Sequence, residues 1–211
     1  MIPVNELLFF ALAAFVLVIS PGPNMIYLIS RSITQGRKAG MISLAGVIVG
    51  FLFHIILVSF GLTAILFAVP FAFILLKTLG VAYLLYLAWQ AVKPDSKSIF
   101  ETNKDLPDDK PGKLFRIGFL TNVLNPKVAV FYLSLFPQFI KAEYGSVMMQ
   151  SLQLGVTQVM VSFTINFIIV LIAARAAAWF SKNPAWVKAQ KWFMASVLTG
   201  LALKMAFTKV R

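Results

Sequence analysis

Long apolar stretches alternate with short polar connectors along most of this chain. A membrane-spanning helix needs about 20 apolar residues, and six stretches reach that length. They lie at residues 4–29, 41–68, 71–92, 114–140, 147–174 and 187–207. Because little of the chain remains for a soluble domain, the pattern predicts an all-α integral membrane protein with six transmembrane helices.

Two of these predicted spans are interrupted by proline. The segment Ser-Pro-Gly-Pro-Asn at 20–24 falls inside the first span, and Asn-Pro-Lys at 125–127 falls inside the fourth. A proline inside a helix lacks the N–H that would bond to the carbonyl four residues earlier. Unpaired carbonyls are tolerated at membrane depth only where protein buries them or where they line a polar cavity, so the two breaks predict a pathway or binding site. The carbonyls released in this way are those of Leu17, Ile19 and Asn122.

Each break is expected to start a new half-helix. Proline is favoured at the first helical position, which places Pro23 and Pro126 there with Gly22 and Asn125 as capping residues. The amides at 24–26 and 127–129 are then expected to be free and to form two positive ends suited to a carboxylate. The candidate substrate-binding residues of the breaks are Pro21, Gly22, Pro23, Asn24, Asn122, Asn125, Pro126 and Lys127.

Lys127 lies in the first turn of the second half-helix, where the helix dipole disfavours a cation. Its position is explained if an anion binds between the two breaks. The alternative is that both breaks are simple proline kinks and that the Lys127 side chain reaches the lipid headgroups. A kink is the better interpretation of either break alone, and a binding site is the better interpretation of the pair.

His54 is the only histidine. It shares one face of the second span with Ser43, Gly46, Gly50 and Gly61. Small and polar residues on one face are typical of closely packed membrane helices. An ionisable group on such a face is a functional candidate, and histidine titrates near neutral pH. His54 is therefore a candidate for proton coupling, with a neutral histidine bonded to a neighbouring helix as the equal alternative.

Two other spans also carry polar side chains. Lys77 lies seven residues into the third span, where snorkelling to the interface is slightly favoured over a role in proton coupling. In the fifth span, Ser151, Gln158, Ser162 and Asn166 form one stripe along the helix. Such a stripe either lines a cavity or bonds to another helix. Cavity lining makes Gln158 and Asn166 candidate translocation residues.

Charge predicts the orientation in the membrane. Apolar residues make up 60% of the 211 residues and charged residues 12%, with 19 Lys and Arg against 7 Asp and Glu. The basic residues are scattered among connectors rather than gathered on one helix, which argues against a nucleic-acid partner. Most follow the odd-numbered spans, and basic connectors stay cytoplasmic, so both termini are predicted outside. The alternative of five spans would move one terminus to the other side. The basic residues on the predicted cytoplasmic side are Arg31, Arg37, Lys38, Lys93, Lys97, Lys104, Lys110, Lys113, Arg116, Arg175, Lys182, Lys188 and Lys191.

The longest polar stretch divides the chain into two halves. Residues 93–113 mix lysines, acidic residues and prolines and are expected to form a flexible cytoplasmic connector. It leaves three spans in half 1 (residues 1–92) and three in half 2 (residues 114–211). An odd number of spans per half gives the halves opposite orientations, so a 3+3 inverted repeat within a single membrane domain, residues 1–211, is predicted.

Missing residue types exclude several functions. The chain has no cysteine, and apart from Glu6 at the margin of the first span its acidic residues lie outside the predicted spans. Divalent cations need oxygen ligands, usually carboxylates, so neither a metal site nor a cofactor is predicted. One histidine without a cysteine or a carboxylate in the membrane offers no pair of nucleophile and base, which argues against an enzyme.

Several segments resemble one known family. They are Ser-Pro-Gly-Pro-Asn-Met at 20–25, Gly46 and Gly50, Lys-Thr-Leu-Gly-Val-Ala-Tyr-Leu at 77–84, Thr-Asn-Val-Leu-Asn-Pro-Lys at 121–127 and Phe-Pro-Gln-Phe at 136–139. These segments are similar to the LysE/RhtB translocators, although the last two spans contribute little. The resemblance implies a secondary transporter of the bacterial cytoplasmic (inner) membrane, which exports amino acids or derivatives such as homoserine, threonine, leucine or lysine by means of the proton-motive force. It also implies a dimer or higher homo-oligomer.

Two other functions stay open at this point. A membrane scaffold would use the glycine faces to pack against other proteins, and its kinks would only give shape. A passive small-solute channel would carry a flux that is indifferent to a pH gradient. Neither the residues nor the resemblance selects the amino acid.

Overall fold

A computed structural model shows a helical protein and describes residues 1–20, 22–68, 70–93, 108–180 and 182–207. Every regular element in these ranges is a helix or a helical turn. A π-helical turn (Phe131–Leu135) joins α6 to α7, and a 3-10 turn (Ala142–Tyr144) precedes α8. The helices are α1 (Val4–Ile19), α2 (Pro23–Thr34), α3 (Gly36–Ala68), α4 (Pro70–Val92), α5 (Pro111–Val123), α6 (Pro126–Val130), α7 (Phe136–Phe139), α8 (Val147–Phe180) and α9 (Pro184–Phe207).

Both predicted breaks are present in the fold. The axis bends by 55° between α1 and α2, and by 44° between α5 and the segment Pro126–Phe139. The new helices begin at Pro23 and Pro126. Proline suits this position because the N–H of the first helical residue has no acceptor within the helix. Pro21 lies outside the described residues.

The long apolar helices identify a multi-pass membrane protein. Helices α3 and α8 are each long and apolar enough to cross a membrane, and each bent pair can count as one more span, which gives two to four candidates within the described ranges. At 33 and 34 residues, α3 and α8 each extend about 50 Å, which exceeds the roughly 30 Å of a hydrocarbon core.

Glycines allow α3 and α5 to approach each other closely. A Cβ at Gly46 would lie 2.1 Å from the carbonyl oxygen of Phe115, and one at Gly118 would lie 2.3 Å from that of Ser43. Backbone therefore packs on backbone at this contact, and no larger residue fits without moving a helix. The small face predicted around His54 is thus the α3 surface that meets α5.

Aromatic and aliphatic side chains fill the rest of the interior. Phe10 of α1 contacts the rings of Phe131, Phe136 and Phe139 at centroid distances of 5.6, 5.3 and 5.2 Å. This cluster holds α1 against the helical segment that follows the second break. A second, smaller core lies between α4 and α9; its buried residues are Leu84, Ala88, Ala195, Leu198 and Ala202.

Ion pairs hold both ends of the bent pair formed by α1 and α2. Asp109, just before α5, pairs with Arg31 at 2.8 Å and with Lys113 at 2.6 Å. The hydrogen bond from Lys113, helped by the charge of Arg31, holds the pKa of the Asp109 carboxyl below its usual range. At the other end, Glu6 pairs with Lys141 at 2.6 Å, and the hydrogen bond with Glu6 raises the pKa of Lys141.

Candidate functional site

Lys127 connects the two breaks. Its Nζ donates to the carbonyl oxygen of Leu17 at 3.0 Å and to that of Ser20 at 2.6 Å. Because Pro21 has no N–H, it cannot donate to the Leu17 carbonyl, and the lysine supplies this missing donor. Since only 6% of Lys127 is exposed, its side chain does not extend to the lipid headgroups in this conformation.

At the second break, the side chain of His54 contacts a released carbonyl in a similar way. The Nε2 atom of His54 lies 3.3 Å from the carbonyl oxygen of Asn122. Pro126 cannot donate to this carbonyl, which also accepts from the Asn125 N–H at 3.0 Å. Because a carbonyl only accepts, Nε2 carries the hydrogen in this contact. Each break therefore has a released carbonyl that is bonded by an ionisable side chain from another helix.

The amides of the second break are not free, which corrects the prediction of an exposed positive helix end. Asn125 caps α6: its Oδ1 accepts from the Lys127 N–H at 3.0 Å, and its carbonyl accepts from the N–H groups of Val128 and Ala129 at 3.1 and 3.0 Å. At the first break, the Ile26 N–H likewise donates to the Gly22 carbonyl at 3.0 Å. The prediction was wrong because the capping residues accept from the same donors that an anion would have used: Asn125 through its side chain and its carbonyl, and Gly22 through its carbonyl.

Gly22 provides the space that the lysine side chain occupies. A Cβ at this position would lie 2.8 Å from Nζ of Lys127 and 3.0 Å from its Cε. The backbone of Gly22 is extended, with φ −174°, so any residue type can adopt its conformation. A larger residue here would therefore crowd the ammonium group of Lys127, whereas the backbone conformation itself does not require glycine.

Several buried polar atoms around the breaks have no hydrogen-bond partner among the described residues. Leaving such an atom unpaired costs about 1–3 kcal/mol, so a group of them marks a place where a polar molecule is favoured. The atoms are Ser20 Oγ, Asn24 Oδ1, Asn122 Oδ1 and Nδ2, Asn125 Nδ2 and Tyr132 Oη.

A small cavity of about 20 Å³ lies beside Lys127, between α1, α4 and the π-helical turn. Its polar lining residues are Lys127 and Ser134. A volume of this size holds about one water molecule and is too small for an amino acid. We call this conformation closed, because the cavity beside Lys127 does not admit an amino acid.

The other predicted residues lie on α4 and α8. Gln158 and Asn166 are buried in α8, where Gln158 Nε2 donates to Ser162 Oγ at 2.9 Å and Asn166 Nδ2 donates to the Ser162 carbonyl at 2.8 Å. Those two bonds stay within one helix. Lys77 is part of α4, but its side chain lies outside the described part of the structure. Within the described ranges, no three His, Cys, Asp or Glu side chains gather as metal ligands.

Sequence reasoning missed Tyr132 and the π-helical turn that carries it. The Tyr132 ring stacks on that of His54 with centroids 5.4 Å apart and an angle of 17° between the planes. Pro137 offered a signal, because it cannot bond to the carbonyl of Leu133 and so disturbs the helix one turn earlier. Such π-helical turns are frequent at functional sites.

Apolar helices that cross a membrane, with two broken helices joined at a buried ammonium group, define a membrane transporter. The family model for the LysE type translocator matches residues 15–209, and the chain belongs to this family. Membership identifies a transporter rather than an enzyme.

Relatives agree with this assignment. The chain is 34% identical to the homoserine/homoserine lactone efflux proteins of Salmonella typhimurium and Salmonella typhi, over 85% of this chain and 85% of each relative. It is also 27% identical, over 93% of both chains, to an uncharacterised membrane protein of Pseudomonas aeruginosa. No solved structure gave a significant match.

Proposed function

We propose that this protein is a secondary transporter that exports amino acids or amino-acid derivatives across the bacterial cytoplasmic membrane, coupled to the proton-motive force. Family membership and the printed function of the two Salmonella relatives support this class of substrate. The observation that carries the proposal is the junction of the two breaks at Lys127. Substrate sites between broken helices are a recurring feature of secondary transporters.

The proposed architecture is one membrane domain over residues 1–211, with six spans in a 3+3 inverted repeat. Helices α4 and α9, at 23 and 24 residues, supply the two remaining spans by their length. Contacts between equivalent elements of the halves support the repeat: α3 packs on α8, α4 packs on α9, and the first break meets the second. The excess of basic residues in connectors on one side supports placing both termini outside.

The proposed substrate site lies between the breaks. The ammonium group of the substrate binds carbonyls released by the prolines, those of Leu17, Ile19 and Asn122. Its carboxylate meets the start of α2 at Asn24 and the ammonium group of Lys127. The unpaired side-chain amides of Asn122 and Asn125 support this placement, because they offer donors and acceptors to a small polar molecule. Gln158 and Asn166 then belong to the pathway beyond the site.

Proton exchange is proposed for His54 or Lys77. His54 is favoured by its contact with the carbonyl of Asn122 at the second break and by its burial, with 7% exposed. A change in the protonation of His54 alters its hydrogen bond to Asn122, which lies at a break where the substrate is proposed to bind. Such a link between proton and substrate is what coupling requires.

Efflux from loaded vesicles tests this proposal. Purified protein is reconstituted with radiolabelled homoserine inside, and release is followed with and without an imposed pH gradient. We expect release that rises with the gradient and falls strongly in Pro126→Ala and Lys127→Ala. Pro111→Ala is the matched control, since Pro111 also opens a helix but lies outside the breaks.

Other outcomes identify the alternatives. Release that is unchanged when the gradient is collapsed indicates a passive channel. Absence of release when homoserine or any other amino acid is loaded, together with stable copurification of another membrane protein, indicates a scaffold. Intact efflux in both Pro126→Ala and Lys127→Ala, with normal membrane insertion, contradicts the proposed site.

A further inference from the structure

We infer that the carbonyls of Leu17 and Ser20 form a site for a primary ammonium group, which Lys127 occupies as a tethered ligand in the closed conformation. The ammonium group of the substrate then exchanges with that of Lys127 during each transport cycle. This inference rests on the proposed export function. It places the substrate ammonium group on the carbonyls of Leu17 and Ser20 rather than on the three carbonyls released by the prolines, of which it keeps only that of Leu17. It assigns Lys127 the role of a competitor there.

The geometry is that of an ammonium receptor. Nζ of Lys127 donates to two carbonyl oxygens, at 3.0 and 2.6 Å, and neither carbonyl belongs to a carboxylate. The three ion pairs seen among the described residues involve Arg31, Lys113 and Lys141, not Lys127. Carbonyl oxygens, and not a carboxylate, therefore accept from Nζ of Lys127, and another –NH₃⁺ group presents the same kind of donors to them.

Two cations cannot share this site. Like charges at close distance in a buried setting repel strongly, and the adjacent cavity of about 20 Å³ does not admit an amino acid beside the lysine. Binding of a substrate ammonium group must therefore displace Nζ of Lys127.

The displaced lysine has a new partner in the same substrate. An amino acid carries a carboxylate close to its ammonium group, and Lys127 is attached at the start of α6, directly across from Gly22. When its ammonium group leaves the carbonyls, the charge-assisted bond to that carboxylate replaces the contacts it has lost. Exchange therefore keeps every buried charge paired, and it favours substrates that have both a primary ammonium and an acceptor group.

Chemical rescue tests the receptor directly. Lys127→Ala removes the three carbons and the ammonium beyond Cβ, which correspond to n-propylammonium. We expect this amine to raise the thermal unfolding midpoint of purified Lys127→Ala in detergent, in a saturable manner, by roughly 5–10 °C at about 100 times its dissociation constant. n-Propanol and propyltrimethylammonium, which lack the charge or the donors, should have no such effect.

Two proteins serve as controls. Wild type and Lys127→Met both keep a side chain in the site, so neither should respond to n-propylammonium. An equal response in all three proteins, or no difference between the amine and n-propanol, overturns the inference. If Lys127→Ala folds only with the amine present, we expect it to aggregate when the amine is removed by dialysis. This loss of monodispersity also supports the inference.

Gly22→Ala gives a second measurement that does not depend on added amine. Its new Cβ crowds Nζ of Lys127, so it should lower the unfolding midpoint in the wild-type background and have little effect in Lys127→Ala. Equal effects in both backgrounds overturn the inference. The export proposal is tested separately. Rescue by n-propylammonium without efflux from wild-type vesicles supports the ammonium site but contradicts the transport function. Efflux without rescue contradicts only the ammonium site.

Discussion

The side-chain ammonium group of Lys127 lies 3.0 Å from the carbonyl oxygen of Leu17, a residue 110 positions earlier in the chain. Both residues are buried, and each belongs to a helix that a proline interrupts. One hydrogen bond therefore turns two separate breaks into a single polar junction. Its stability and its opening are expected to determine how the transporter works.

Loss of the ammonium group is expected to destabilise the fold. Lys127→Met keeps most of the side-chain length but leaves the carbonyls of Leu17 and Ser20 without their donor, which should lower the free energy of unfolding by about 1–3 kcal/mol. Denaturant unfolding in detergent, followed by tryptophan fluorescence, measures this change. Lys182→Met, at an exposed lysine, is the control, and equal stability of the two variants would contradict the expectation.

Closer packing is not tolerated between α3 and α5. Gly50→Ala places a Cβ 2.6 Å from Cβ of Asn122, and Gly46→Ala places one 2.1 Å from the Phe115 carbonyl oxygen. Each should cost about 1–3 kcal/mol, because overpacking forces the helices apart. Gly112→Ala is the matched control, since its Cβ meets no atom within 4 Å. Thermal unfolding compares the three; a control as unstable as the others would show that helix contact is not the cause.

Substitutions of His54 are expected to distinguish a role in proton coupling from a role in stabilising the fold. In His54→Gln, the side-chain amide can still donate to the carbonyl of Asn122 but cannot titrate, whereas His54→Phe loses the donor. We expect His54→Gln to fold normally and to release substrate at a rate that no longer follows the pH gradient. Vesicle efflux at two imposed gradients measures this. If His54→Gln responds as wild type does, proton exchange belongs to another residue, with Lys77 the next candidate.

Acid should weaken the attachment of α5 to α2. The contacts with Lys113 and Arg31 lower the pKa of Asp109 in the folded protein, so this carboxyl contributes stability above its unfolded pKa and loses it as the pH falls through the lower, folded pKa. We expect the unfolding midpoint to fall with pH across that acidic range and Asp109→Asn to remove this part of the dependence. Asp108→Asn, at an exposed neighbour, should retain it; a loss in both variants would point to a general charge effect.

Much of the fold could be predicted from local pattern. The lengths of the apolar stretches predicted the long helices. The breaks at Pro23 and Pro126 were predicted from the missing proline N–H, which is a property of the residue itself. The Asn125 cap followed in the same way from its side chain. What failed was the expectation of free amides at 127–129, because the cap that was correctly predicted also uses those donors.

The site depended on contacts that no local pattern contains. The sequence alone predicts that two apolar helices break, which carbonyls the prolines release, and that Lys127 and His54 lie within predicted spans. The bonds from Lys127 to Leu17 and Ser20, the bond from His54 to Asn122 and its stacking on Tyr132 become visible only in the folded chain. The physical reason is that a released carbonyl can accept from any donor that packing brings near it, and packing joins residues more than 100 positions apart.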